Sequence, residues 1–255
     1  SSLAKTLDIL NSQRREITEK AMALANQKLT KTTLDKNILI LADKMFTPGI
    51  AGLIASRMVE NYYKPTIVIS LDNEIGRASA RSIPEFDIAS AIDQCSDLLI
   101  SGGGHPRAAG FIIQKNNIPT LEYRLYDISE RMIDKLLKPV LNIDAYIKFE
   151  ALNSDNLNFI TSLEPYGEGN PKPVFTSKNV LVLHWATVGL KGQHITFKLK
   201  QGDEIWNAIA FNQGNKLAEE HLNHNQTIDI AYSIGTNKWH GNIETRLVIK
   251  DFKAS

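Results

Sequence analysis

The sequence predicts an α/β domain followed by a small β-barrel, with a long helix in front of both. Three observations carry this. Residues 3–29 place Leu3, Leu7, Leu10, Ile17, Ala21 and Leu24 at helical spacing, with no Gly or Pro in the stretch. Short apolar runs and amphipathic stretches then alternate through residue 137, the pattern of strands and helices packed around a sheet. Beyond residue 173 the pattern turns mostly to strands, interrupted by one short helix.

The elements follow in order. Residues 37–43 form a continuous apolar run suited to a buried strand. Thr47 and Pro48 mark a helix start, as N-cap and first helical residue, and Ile50, Leu53, Ile54 and Met58 share one face of that helix. Residues 65–70 form a second buried strand, so this stretch reads as a βαβ unit with parallel strands. Further strands are expected at 77–83 and 108–113, and helices at 88–99 and 121–137. The domain plan is a connecting helix over 1–36 and an α/β domain over 37–141. A bridge over 142–171 holds a strand at 143–150 and a helix at 155–163, capped by Ser154 or Asp155. It runs into a turn-rich boundary at 164–173, where three prolines and two glycines fall in ten residues. Residues 172–255 form the last domain, with strands at 174–184, 194–200, 205–211, 227–233 and 243–252 and a helix at 215–221. That β-β-β-α-β-β order is the order of the OB-fold, a Greek-key barrel used for oligonucleotide binding.

Composition narrows the function classes. The 255 residues, 43% of them hydrophobic, suffice for one large core or two smaller ones. A single cysteine, Cys95, excludes an intramolecular disulfide framework and suits a reducing cytosol. No apolar run approaches the roughly 20 residues of a membrane helix, and no signal region follows the N-terminus. The chain is therefore expected to be soluble and cytoplasmic, with no membrane partner. Net charge is only +1, so any case for nucleic-acid binding rests on local residues.

Two local patterns make that case in the α/β domain. Ser101-Gly102-Gly103-Gly104-His105-Pro106-Arg107 is a glycine-rich loop candidate. Its backbone N–H groups could form an anion-binding nest, with His105 and Arg107 adding donors or charge. The same residues equally suit a tight turn. In Arg77-Ala78-Ser79-Ala80-Arg81-Ser82, period two puts Arg77, Ser79 and Arg81 on one strand face. Arg81 could then grip a phosphate bidentately, with Ser79 and Ser82 adding hydroxyl hydrogen bonds; an exposed face of solvated arginines is the other reading.

In the barrel, Trp185, Trp206 and Trp239 lie among Lys191, Lys198, Lys200 and Lys238. Such rings serve as a stacking platform or as core. Trp239, between Lys238 and His240, is the best candidate for exposure, and Lys191 and His194 join it as possible single-strand contacts. The histidines are scattered, and no Asp-x-Asp, His-x-x-x-His, Walker loop or nucleophile elbow is present. No metal ligand or catalytic residue is assigned within the chain.

Five segments in order resemble the RecJ exonuclease family. Residues 45–57, with Thr47-Pro48-Gly49-Ile50-Ala51-Gly52, resemble a helix start of its DHH-associated domain, and 64–69 the next strand; Thr47 stands where the family often has His or another polar residue. Ala78-Ser79-Ala80-Arg81-Ser82-Ile83 is similar to the family's Ser-x-Arg-Ser segment, and Gly103-Gly104-His105 to its Gly-Gly-His motif. Residues 163–171 resemble the lead into its OB domain. The resemblance implies a nucleic-acid-binding C-terminal part of a 5′–3′ single-strand DNA exonuclease of repair and recombination. Phosphate contacts would fall on Ser79, Arg81, Ser82 and the Gly103-Gly104-His105 loop, and the barrel would hold the single strand. It further implies a catalytic half outside this chain that carries Mn or Mg, so the chain alone would be inactive. Partners would be single-stranded DNA and repair or replication proteins. Two other roles stay open: a non-catalytic scaffold, and a small-oligonucleotide phosphoesterase of the same superfamily.

Overall fold

The computed structural model of the chain describes residues 2–133, 138–223, 225–239 and 242–255, without the side chains of 238, 239, 242 and 243. The chain divides into two compact units, 1–139 and 140–255.

The first unit runs α1 (Ser2–Lys28), α2 (Lys31–Leu34), β1 (Leu39–Asp43), α3 (Pro48–Tyr62), β2 (Thr66–Asp72), β3 (Ile75–Arg81), α4 (Ile88–Asp93), β4 (Leu99–His105), β5 (Ala108–Gln114) and α5 (Ile118–Met132). Its sheet has the order β1-β2-β3-β5-β4. Only β1 and β2 are parallel, joined through α3; the other neighbours are antiparallel. Connection length explains the difference. Two residues, Asn73 and Glu74, link β2 to β3, and Pro106 and Arg107 link β4 to β5, and links that short reverse the chain.

Both faces of the sheet carry helices. On one, Met22 and Ala25 of α1 and Ile50, Ile54 and Met58 of α3 bury Leu39, Leu41 and Val68. On the other, Ile88, Ala91 and Ile92 of α4 and Leu121, Leu125 and Ile128 of α5 bury Ile67, Ile69, Ala78, Ala80, Phe111 and Ile113. The stripe expected along α1 is packed only in part: Ala21, Met22 and Ala25 are buried, while Leu3, Leu7 and Leu10 are exposed. Thr47 is the N-cap of α3, as its position predicts, but its side chain makes no capping hydrogen bond and Pro48 sets the first turn.

The helix expected at 88–99 stops at Asp93, and a 3₁₀ turn over Ser96–Leu98 leads straight into β4. The glycine-rich segment is thus an extended edge strand and not a loop. Glycine is a poor strand former in isolation, but the free side of β5 offers a complete ladder of partners, and pairing overrides propensity. Among the described residues, no glycine of the 102–104 run has positive φ, so the expected backbone nest is not formed.

The second unit runs β6 (Ala145–Tyr146), α6 (Ser154–Ser162), β7 (Phe175–Val188), β8 (His194–Gln201), β9 (Glu204–Ala210), α7 (Lys216–Glu219), β10 (Thr227–Trp239) and β11 (Asn242–Ala254). Strands pair in the order β7-β8-β9-β11-β10, and β10 pairs back onto β7, which closes a five-stranded barrel. The β9–β11 pair is parallel and the other barrel pairs are antiparallel. This is an OB-like barrel. The strand expected at 143–150 shortens to two paired residues, because a 3₁₀ turn at Phe149–Ala151 drops Phe149 into the barrel core. The cap of α6 is Asn153, whose side chain accepts from the Asn156 N–H at 3.0 Å, in place of the expected Ser154 or Asp155.

Tyr232 is the largest fully buried side chain of the barrel core. Its hydroxyl lies 3.0 Å from the buried Ser177 hydroxyl, and burial pushes its pKa up to about 12, from the 10.0 of a free tyrosine. The unfolded chain therefore ionises first as pH rises. Stability linked to Tyr232 is whole below pH 10 and is lost between pH 10 and 12. A Tyr232→Phe variant should show a flatter fall of denaturant stability over that window and lose about 1 kcal/mol at neutral pH. Equal slopes for the two proteins would sink this assignment.

Candidate nucleic-acid interface

In the first unit, α3 packs over β2 and β3 on one face of the sheet, and past its edge that face is open, with Ser101, Gly103 and His105 of β4 exposed. Register places three rows on that open side. Arg81 pairs with Ala108, which pairs with His105; Ser79 with Gly110, then Gly103; Arg77 with Ile112, then Ser101. The alternate residues Ala78, Ala80 and Phe111 turn into the core, as period two requires. The sequence reading of Arg77, Ser79 and Arg81 on one face corresponds to this arrangement.

Small residues flatten the middle of this surface. A Cβ at Gly103 would meet nothing within 4 Å, whereas one at Gly104 would lie 2.5 Å from Ala109 Cα and Cβ. Gly104 is therefore a packing glycine on the core side, and Gly103 leaves bare backbone on the open side. An open groove of about 280 Å³ runs over this floor, lined by Pro48, Arg77, Ser79, Ser101, Gly110 and Ile112, with no carboxylate in its lining. Pro48 begins α3, so the positive end of a 15-residue helix dipole borders the groove.

Arg81 is held in place. Its Nη1 donates to the Ala80 carbonyl at 2.8 Å, and its guanidinium occupies the space over Gly52, where a Cβ would come within 3.1 Å of Nη2. The Ser79 hydroxyl has no hydrogen-bond partner among the described residues. Together these groups offer donors and positive charge to an anion, with no acidic competitor in the groove.

Two expected contacts are placed differently. Ser82 is buried, its hydroxyl donating to the Phe86 carbonyl at 2.6 Å and its N–H to the Arg107 carbonyl at 3.0 Å. It follows β3 on the core side and pins the turn, so its hydroxyl is not available to a phosphate. Arg107 sits in the hairpin turn, exposed, and its charge lies near Tyr63. The Tyr63 hydroxyl donates to the Glu85 carboxylate at 3.0 Å, and its pKa is raised by burial first and by Glu85 second, with Arg107 opposing. Arg107 is thus beside an acidic neighbour and outside the groove lining.

In the second unit, Ile195, Phe197 and Leu199 of β8 and Ala208 and Ala210 of β9 point into the barrel. The alternate residues His194, Thr196, Lys198, Lys200, Ile205 and Asn207 form its outer face. Trp185 and Trp206 are half-buried against the core, which tells against them as an exposed platform: they pair with the inward-facing Phe197 and Leu199. Phe211, directly after β9, has an exposed ring. His194 meets it edge-on at 5.3 Å between centroids, and the Arg246 guanidinium carbon lies 5.9 Å from its centroid. The Asn212 N–H donates to His194 Nδ1 at 3.0 Å, which fixes the imidazole beside Phe211. Lys191 is exposed in the β7–β8 loop. The Lys238 and Trp239 side chains lie outside the described residues. Phe211 escaped the sequence reading: Ile209, which shares its strand parity, is buried, so alternation alone does not mark the ring as exposed.

A model of the DHHA1 domain matches residues 35–135, and one of the RecJ OB domain matches residues 143–251. The chain matches the C-terminal part of RecJ. The single-stranded-DNA-specific exonuclease RecJ of Bacillus subtilis is 28% identical over 99% of this chain and 32% of its own length. RecJ of Haemophilus influenzae is 28% identical over 97% of this chain and 44% of its own length. RecJ of Thermus thermophilus with Mg²⁺ superposes with a TM-score of 0.77 at 24% identity, over 100% of this chain and 38% of that one. With Mn²⁺ the values are 0.76, 25%, 100% and 36%. The chain therefore spans less than half the length of these RecJ relatives. The two Thermus thermophilus structures are complexes with Mg²⁺ and Mn²⁺, and among the described residues here no three His, Cys, Asp or Glu side chains cluster to hold an ion. No described helix is long and apolar enough to cross a membrane.

Proposed function

We propose that this chain is the nucleic-acid-binding part of a RecJ-like single-strand DNA exonuclease, and that it grips DNA without cutting it. The observation that carries this reading is the carboxylate-free groove between Pro48, Arg77, Ser79 and Gly110, with Arg81 and His105 one row along. A phosphate fits it because bare backbone at Gly110, with Gly103 paired beside it, permits close approach, while the arginines supply charge-assisted hydrogen bonds. On the barrel, Phe211 offers a stacking face flanked by His194 and Arg246, the combination of ring and cation that holds single strands without sequence preference. The cutting step, with its divalent metal, would lie in a part of the full protein outside these residues. Cleavage from the 5′ end and service in repair and recombination in the cytoplasm follow from the same reading.

Titration of the chain into a labelled single-stranded oligonucleotide and the matching duplex, followed by anisotropy, tests this. Binding should favour the single strand and weaken with salt. Phe211→Ala should reduce single-strand affinity by about 1–3 kcal/mol with the barrel still folded. Equal affinity for duplex, or no effect of Phe211→Ala, would overturn the barrel's assigned part.

A further inference from the structure

The segment between the helix α6 and the barrel has no part in either surface above, yet it is built with care. The Gly167 and Asn170 backbones exchange two hydrogen bonds, at 2.9 and 3.2 Å. The Asn170 amide donates to the Leu163 and Pro165 carbonyls, both at 3.0 Å. Gly169 takes φ +83°, which a side chain would resist. The Tyr166 hydroxyl donates to the Ile160 carbonyl at the end of α6, and Lys172 Nζ lies 5.6 Å from the centre of the Tyr166 ring. The turn is thus held from several sides, and its ring and cation are fixed relative to α6.

What it borders is a pocket of about 470 Å³ between α6, the turn and the inner side of the β10–β11 hairpin. Its apolar walls are Leu157, Ile160, Ile234 and the Tyr166 ring. Asn158, Thr236 and Thr245 bring an amide and two hydroxyls to the same space, and none of the three makes a side-chain hydrogen bond among the described residues. Lys172 and Glu164 add one charge of each sign. A neighbouring hollow of about 340 Å³, lined by Ile147, Phe159, Leu163 and Phe175, is apolar nearly throughout, and its one side-chain amide, Asn156, already donates to the Ala151 carbonyl at 2.9 Å.

We propose that the pocket between α6, Tyr166–Lys172 and Thr236/Thr245 is a base-binding subsite that takes one nucleobase of the single strand. The chemistry matches part by part. A base needs flat apolar walls for its faces, neutral donors and acceptors for its edge, and a cation at the rim for its phosphate. Glu164 can accept from an exocyclic amino group, which would favour adenine, cytosine or guanine over thymine. The inference rests on the single-strand reading of the chain and extends it to a second place on the same unit, away from Phe211.

The test uses the whole chain and single-stranded oligonucleotides carrying one 5-iodouracil or 5-iodocytosine, photocrosslinked and mapped by mass spectrometry, with affinity measured in parallel. Crosslinks to the peptide holding Tyr166 are expected, stronger from iodocytosine. Asn158→Trp, at an exposed helix position, should fill the pocket, abolish that crosslink and weaken binding about tenfold. Thr236→Val, nearly isosteric, should lower the crosslink yield without unfolding. Crosslinks confined to the Phe211 region, or a Tyr166 crosslink that survives Asn158→Trp, would overturn the subsite while leaving the single-strand reading intact. Absence of any single-strand binding by the unaltered chain would overturn both.

Discussion

Replacing Arg81 with alanine is expected to weaken single-strand binding by about 2 kcal/mol and to lower its salt dependence by roughly one counterion. The effect is large because the guanidinium is already positioned, by the Ala80 carbonyl and the gap over Gly52. Little side-chain freedom remains to be lost when a phosphate binds. Lysine at this position should recover part of the salt dependence but not the bidentate geometry, so Arg81→Lys should fall between the two. Folding should be unaffected, since Arg81 is half-buried at the end of β3 and forms no ion pair among the described residues. An unchanged salt slope for Arg81→Ala, measured by anisotropy at several ionic strengths, would remove Arg81 from the proposed site.

The second large effect separates two adjacent glycines. Gly104→Val should destabilise the first unit by about 1–3 kcal/mol, because its Cβ would fall 2.5 Å from Ala109 Cα and 2.6 Å from the Ala108 carbonyl, and backbone has to move. Gly103→Ala should leave stability within about 0.5 kcal/mol, since nothing lies within 4 Å of the new methyl. That methyl would instead stand on the open face beside Gly110, which lines the groove, and hold a phosphate away from the backbone. Thermal melts with matched binding curves should show Gly104→Val losing stability and Gly103→Ala losing affinity. The reverse assignment of the two losses would mean that β4 is inverted relative to the groove.

Much of this molecule was legible from local pattern. The spacing of Leu3 to Leu24 marks α1, and Thr47-Pro48 marks the start of α3. The order of strand candidates after residue 173 marks the barrel, whose closure the β10–β7 pairing supplies. Period two alone sets Arg77, Ser79 and Arg81 on one side of β3, since alternation is a property of the extended chain itself. The same rule puts Trp206 on the side of Ala208 and Ala210 and retires it as a platform, whereas Trp185 turns inward only because a bulge after Val182 shifts the register.

Other features depend on neighbours far along the chain. Whether Gly102-Gly103-Gly104 is a nest or a strand is decided by the unpaired edge of β5, which no local signal announces. Ser79 and Ser82 are equivalent as residue types, but Ser82 meets the Phe86 carbonyl only once the chain has turned toward α4. The sequence by itself determined most of the elements and their order, β4 excepted, and the faces of unbroken strands such as β3, because those follow from backbone periodicity and side-chain polarity within a few residues. Tertiary structure alone decided which glycine packs, which serine is already bonded and which ring stays exposed, because each of those depends on atoms that long-range pairing brings into contact.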